Sequence, residues 1–410
     1  MHAAPRKKYS YLRGGSRESN RFSSRQNDPR GQDKYIKSKG NYYIHNRSKI
    51  VLKTILSLHR RITQRMSKYI HYLNDSSYLS YKMATIKFAV PKGSIEEATY
   101  KILEQAWQSI TGRGRTYRLR LSDPEIEVKI LRPQEIPTYV QEGFYDVGIT
   151  GKDWINEAKA DVKVLLDLEY GRVKQVLAIP ESFDAQNLSE LISHFVTHNK
   201  PLRISSEYLT TTSSYIKSNP IYQQHFGSSD PMIITPWLRV GQNKQVEIFL
   251  SFGATEAKPP EDVDAIFDIT ETGTTLGRNN LKIIDTVMES TAVLVANKNT
   301  LKIPHKREKI ADMCALLKGV VEARKKLHIF VNVREDNIKG LLERLPALKK
   351  PTISKLSEDG WYSVNTIIEK SEFIKIVPKL RELAQGLVVI EPRQILPLDQ
   401  INLDSYDQEI

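Results

Sequence analysis

IEVKILRPQEIPTYVQEGFYDVGIT, residues 126–150, decides the fold class. Residues 126–132 alternate as a strand, and Pro133 opens a helix through Ile136, Tyr139 and Val140 that Gly143 closes. DVGIT (146–150) is a second strand. The same alternation extends in both directions and predicts an α/β class with largely parallel sheets.

Upstream, IKFAV (86–90) is a short apolar strand ending in Pro91, Lys92, Gly93 and Ser94, with Ser94 placed to cap a helix running through Ile95, Ala98, Ile102, Leu103 and Ala106. Downstream, VKVLLDL (162–168) is a strand, and VKQVLAIP (173–180) is one that crosses into a second lobe. That lobe is expected to hold a helix near 186–198, strand LRISS (202–206), a helix from about Tyr208, strands near 232–235 and 245–250, and DAIFDIT (264–270). TAVLVANK (291–298) brings the chain back to the first lobe. Two lobes joined by two crossing strands form a cleft, and open α/β sheets place ligands at the carboxyl ends of their strands. After a helix at about 305–325 the pattern changes to strand 327–333, helix 335–345, strands 351–356 and 361–369, helix 371–384 and strand 387–392, a ferredoxin-like βαββαβ order. The expected divisions are residues 83–172 with 286–304, then 173–285, then 305–400.

The chain has 410 residues and a formal charge of +13. Residues 1–82 hold nineteen basic against four acidic residues, a net of +15, leaving 42 basic and 44 acidic residues in the remainder, a net of −2. The basicity belongs to the leader, so neither nucleic acid nor membrane is expected as a partner of the body. The first 46 residues lack the aliphatic content to offset chain entropy, and disorder is expected there. Residues 48–72 show helical spacing of Ile50, Leu52, Ile55, Leu58, Ile62 and Met66, which suits a targeting element or a binding arm. The new pattern at Met83, MATIKFAVPKGS, favours instead a mis-called start or a dispensable extension. One cysteine, Cys314, excludes a disulfide scaffold and a thiolate metal centre, and no stretch approaches the ~20 apolar residues of a membrane span. A cytoplasmic protein is expected.

The sharpest local feature is DAIFDITETGTTLGRNNL (264–281). A strand ends at 268–270, a turn of Glu271, Thr272, Gly273, Thr274 and Thr275 follows, and Leu276 onward begins a helix. Backbone N–H groups at such a turn, with threonine hydroxyls, make a concave donor array for phosphate, although a Thr-rich helix cap reads the same way. Asp268 would face ribose hydroxyls or Mg²⁺, because a carboxylate accepts and does not donate. Lys92, Arg113, Arg115, Arg132, Lys152, Arg172 and Lys174 all flank first-lobe strands, as a polyanionic substrate would require, or are solvated surface charges. His194 and His198 are four apart on a helix, but no acidic partner completes a metal motif.

Together, IKFAVPKGSIEEAT (86–99), residues 129–157, LDLEYGRVKQVLAIP (166–180) and DITETGTTLGRNNLKII (268–284) resemble ATP phosphoribosyltransferase of the long form. The resemblance implies a two-lobe, periplasmic-binding-protein-like catalytic core with a ferredoxin-like regulatory domain. It also implies Mg²⁺-dependent attack of N1 of ATP on phosphoribosyl pyrophosphate, the first step of histidine biosynthesis, inhibited by histidine, in a homo-oligomer that is a hexamer exchanging with dimers. On this likeness Glu271, Thr272, Gly273, Thr274, Thr275 and Leu276 hold the 5-phosphate and Asp268 lies beside the ribose. Lys92, Gly93, Arg132, Asp153 and Arg172, with Arg115, line the ATP and pyrophosphate sites. Thr352, Ser354 and Ser357 lie where the effector binds. Lys92-Gly93-Ser94 departs from members with arginine after the glycine, and ATEAKPPEDVD (254–264) departs from the commoner short loop, leaving the role of Glu247 open. The architecture alone also suits a non-enzymatic two-lobe binding or sensor protein.

Overall fold

The computed structural model describes residues 85–114, 116–345, 351–396 and 403. The leader, its proposed helix at 48–72 and Arg115 lie outside the described residues.

The chain begins with β1 (Ile86–Pro91), α1 (Glu96–Trp107), β2 (Ile110–Thr111), β3 (Arg118–Leu121) and β4 (Ile126–Leu131). It continues through α2 (Ile136–Gln141), β5 (Val147–Gly151), α3 (Lys152–Ala158) and β6 (Lys163–Asp167). Apolar runs make β1 and β5 buried strands, as a sheet covered on both faces requires. Ser94 does not cap α1. The cap position is Ile95, without a side-chain bond, and Glu96 Oε2 accepts the Gly93 N–H at 3.2 Å. A longer acidic side chain in the first turn reaches the open donor and favours the helix dipole, displacing the serine from that role.

The second lobe comprises β7 (Val173–Pro180), α4 (Leu188–Thr197), β8 (Leu202–Ser206), α5 (Leu209–Ser218), α6 (Pro220–Phe226) and β9 (Pro231–Ile234). It is completed by β10 (Arg239–Val240), β11 (Asn243–Leu250), β12 (Ala265–Thr270), α7 (Thr274–Arg278) and β13 (Leu281–Ser290). Its sheet runs β10-β9-β11-β8-β12-β7-β13. The crossing strands β7 and β13 pair antiparallel with each other, and β7 also pairs antiparallel with β12, so the sheet is mixed rather than uniformly parallel.

β14 (Ala292–Ala296) then inserts between β5 and β6, antiparallel to both, completing the order β2-β3-β4-β1-β5-β14-β6. Every residue of β14 is buried, and each fully buried Val or Leu there contributes roughly 1.5–3 kcal/mol. This return closes the two-lobe core. Long α8 (Pro304–Arg324) packs on α1 through Ile310, Met313 and Leu317.

The last domain has β15 (Lys326–Arg334), α9 (Ile338–Arg344), β16 (Thr352–Lys355), β17 (Trp361–Glu369), α10 (Lys370–Leu383) and β18 (Ala384–Ile390). Its antiparallel order, β16-β17-β15-β18, is the ferredoxin-like one, around a core of its own that includes Ile329, Val331, Val364 and Leu380. β18 starts three residues earlier than residue 387, because α10 passes straight into the strand after Leu383. The segment 335–337 is a 3-10 turn ahead of α9 rather than part of it. No helix among the described residues is long and apolar enough to cross a membrane.

Candidate functional site

The Thr-rich segment forms the expected bend. β12 ends at Thr270, Gly273 turns with φ +77°, and α7 starts at Thr274, two residues before Leu276. The Gly273 N–H is held by Thr270 Oγ1 at 2.8 Å, and Leu276 anchors the bend in a core with Val176, Ile266 and Leu281. The hydroxyls of Thr272 and Thr274 bond each other at 2.8 Å. The donors left for a phosphate are therefore fewer than the sequence suggests. They are the N–H groups of the first turn, Thr275 and Leu276 foremost, which have no carbonyl partner within a helix, together with the exposed Thr275 hydroxyl. Glu271 is exposed at the rim.

Asp268 lies half-buried ahead of this bend and accepts the Ile269 N–H at 2.7 Å. Burial pushes its carboxyl above the usual range, opposed by the Thr255 hydroxyl. β8 runs parallel to β12 with Phe267 opposite Ser206, the last pair, so Glu207, in the bend after β8, comes within reach of the Asp268 charge. Burial likewise raises Glu207, Gln134 opposes the shift, and the Asp268 charge adds to it. Arg132, exposed after β4 and held at its N–H by Glu135 at 3.3 Å, favours the charged form of Glu207.

Hydrogen bonds made by Asp153, Glu157 and Gln134 hold the lobes together beside this cleft. Tyr208 OH donates to Asp153 Oδ2 at 2.7 Å, while Ser290 Oγ donates to Asp153 Oδ1 at 2.6 Å. A side chain at position 151 would meet Asp153 Oδ1 at 2.0 Å, which is why glycine precedes α3. Glu157, on α3, accepts the Thr210 and Thr211 N–H groups at 2.8 and 2.9 Å, closing the first turn of α5. Gln134 Nε2 reaches Glu207 Oε1 at 3.2 Å. Asp153, buried with both carboxylate oxygens engaged, is here a joint between lobes.

Of the remaining sequence-nominated residues, Lys92 stands over Tyr117 with Nζ 4.8 Å from the ring centre, and Gly93, at φ +106°, borders open space. Arg172 is exposed, 3.9 Å from Glu289, which Lys174 shares at 3.6 Å. Two cations are not gathered in the cleft. Arg113 is tied to Glu104 on the outer side of α1 at 2.9 Å, and Lys152 to Asp167 at 2.9 Å. Thr352 and Ser354 lie on β16, an exposed edge strand, and Ser357 just beyond it.

The sequence reading missed Glu207, Gln134 and Lys258. Lys258, within the unusual 254–264 stretch, donates to Ser205 at 3.1 Å and Ser251 at 2.7 Å and favours the charged form of Asp268. Glu207 directly follows a strand, and that position alone was the available signal. Among the described residues no group of three or more His, Cys, Asp or Glu could hold a metal. Asp268 still fits Mg²⁺ as one hard oxygen donor, since that ion is commonly held by one or two carboxylates and substrate phosphates.

The family model HisG, ATP phosphoribosyltransferase, matches residues 132–319, and HisG_C, the HisG C-terminal domain, matches residues 323–392. The ATP phosphoribosyltransferase of Solibacter usitatus is 38% identical over 323 residues, 78% of this chain and 99% of that protein. That of Pelotomaculum thermopropionicum is 37% identical over 312 residues, 75% of this chain and 97% of that protein. Among solved structures, the ATP phosphoribosyl transferase (HisG:HisZ) complex from Thermotoga maritima matches at 26% identity and TM-score 0.44, covering 58% of this chain and 99% of that one.

Proposed function

The chain belongs to the ATP phosphoribosyltransferase family, in its long form with the C-terminal domain, and on that premise we propose that it joins N1 of ATP to C1 of phosphoribosyl pyrophosphate in histidine biosynthesis. The observation that carries the reading is the bend at Thr274–Leu276 with Asp268 just ahead of it and Arg132 of the other lobe acting on the adjoining Glu207.

The displacement passes through an oxocarbenium-like state, so positioning and charge neutralisation supply most of the acceleration. The 5-phosphate takes the first-turn N–H groups of α7 and the Thr275 hydroxyl, with Gly273 allowing the close approach. Asp268 accepts from the ribose hydroxyls and, ionised, favours the cationic sugar. Lys92, Gly93, Arg132 and Arg172 receive the triphosphate and the departing pyrophosphate, a task for guanidinium and ammonium groups. Mg²⁺, held by Asp268 with substrate oxygens, supplies charge neutralisation on the pyrophosphate when bound. Asp153, through Tyr208 and Ser290, fixes how the lobes face each other.

The β16 edge, with Thr352, Ser354 and Ser357, is the proposed place for histidine as inhibitor, and the protein is proposed to work in the cytoplasm as a homo-oligomer. The test is incubation of the full chain with ATP, phosphoribosyl pyrophosphate, Mg²⁺ and pyrophosphatase. Appearance of a new ultraviolet absorbance from the N1-substituted adenine supports the reading, and its absence under conditions where the protein is folded counts against it.

A further inference from the structure

The cleft must accept two polyanions, yet it presents Glu207 beside Asp268. Carboxylates repel phosphates, so Glu207 answers to something that donates hydrogen bonds or becomes positive. Asp268 leads into the bend assigned to the 5-phosphate and is committed to the ribose. Glu207 lies in the bend directly after β8, the neighbouring strand, close enough for the Asp268 charge to act on it. It therefore borders the neighbouring substrate. Gln134, from the first lobe, donates Nε2 to Glu207 Oε1 at 3.2 Å, while its own Oε1 is buried with no partner among the described residues. A buried amide oxygen left unpaired is costly, so this one calls for an explanation. Two acceptors, a carboxylate and an amide oxygen, thus stand together beside the ribose site.

We propose that Glu207 and Gln134 Oε1 together accept the exocyclic 6-amino group of the purine nucleotide, and that Glu207 stabilises the positive charge which that ring acquires. The inference rests on the reaction proposed above. In that reaction the N1 lone pair forms the bond to C1 while the C1–O bond breaks and its electron pair leaves with pyrophosphate. The adenine ring gains one positive charge, shared over N1, C6 and the amino nitrogen, and both amino protons stay in place. An acceptor already bonded to that amine strengthens as the charge grows, which is stabilisation of the transition state rather than of the ground state. A 6-oxo purine would turn an acceptor toward two acceptors and be rejected, because the site's groups would be left unpaired.

The test uses the full chain and its Glu207→Gln and Gln134→Met variants, with ATP as substrate and inosine triphosphate as competing ligand. Glu207→Gln replaces an acceptor by a group that also donates. It is expected to lower kcat about 100-fold with KM for phosphoribosyl pyrophosphate within about twofold, and to tighten inosine triphosphate binding about tenfold. Gln134→Met, which leaves Glu207 in place but removes its partner, is expected to lower kcat about tenfold and to weaken ATP more than phosphoribosyl pyrophosphate. Unchanged kcat and unchanged preference between the two nucleotides in Glu207→Gln overturn the inference, as does a loss confined to phosphoribosyl pyrophosphate affinity. If the wild-type chain makes no product, the reaction itself is wrong. The equilibrium preference between the two triphosphates then still reads whether the pair recognises an amine, and an unaltered preference in both variants refutes that recognition independently.

Discussion

Replacing Gly273 by alanine separates the folding role of the bend from its ligand role. The glycine has φ +77°, and an added Cβ would lie 3.5 Å from Ile283 Cδ1, an ordinary contact. No clash opposes the substitution, so its cost is the left-handed backbone alone, about 1 kcal/mol for a non-glycine residue. For a folded body of roughly 300 residues that shifts the midpoint of thermal unfolding by roughly 1–2 °C. Relief of the strain swings the following N–H groups, and losing one charge-assisted bond to phosphate costs about 1.5–3 kcal/mol, a roughly 10- to 150-fold rise in KM for phosphoribosyl pyrophosphate. Initial rates at fixed ATP, read by product absorbance, together with thermal melting, measure both effects. KM for ATP should stay within about twofold. A melting shift of the expected size with KM for phosphoribosyl pyrophosphate unchanged would refute the assignment of the bend to phosphate.

Asp268→Asn should raise the melting temperature near neutral pH while lowering turnover about 100-fold. Because burial raises this carboxyl in the folded state, its contribution to stability is present while it is protonated and is lost as pH rises through the raised value, so the gain should shrink on acidification toward the ordinary carboxylate range. Equal pH dependence of melting in variant and wild type would contradict it. Tyr208→Phe removes the hydroxyl that donates to buried Asp153 and should cost about 1.5–3 kcal/mol, read from the denaturant midpoint at constant m. An unaltered midpoint would deny the joint between the lobes. Ser354→Val on the β16 edge should raise the histidine concentration needed for inhibition about tenfold, one hydrogen bond's worth, with kcat unchanged; unchanged inhibition would place the effector elsewhere.

Periodicity made the strands legible, since β7, β8 and β17 span the residues their apolar patterns predict, and TAVLVANK returns to the first sheet as a fully buried strand has to. What sequence could not carry was competition among polar groups. Ser94 and Glu96 both suit a helix start, and only the folded geometry gives the Gly93 N–H to the glutamate. Thr272 and Thr274 read as phosphate donors until their hydroxyls are seen to bond each other, within a bend whose Gly273 N–H is already held by Thr270. Arg113 and Lys152 read as substrate cations because their acidic partners, Glu104 and Asp167, are fixed by tertiary packing. Gln134 and Glu207 are separated by 73 residues, and Asp153 and Tyr208 by 55, so neither pair leaves a local pattern.

A crystal structure of the full chain with phosphoribosyl pyrophosphate and Mg²⁺ is the most direct trial of the account. The sugar phosphate should sit on the Thr275 and Leu276 amides, with the ribose hydroxyls turned to Asp268. A 5-phosphate seated on any other element, with that helix start still facing water, would contradict it.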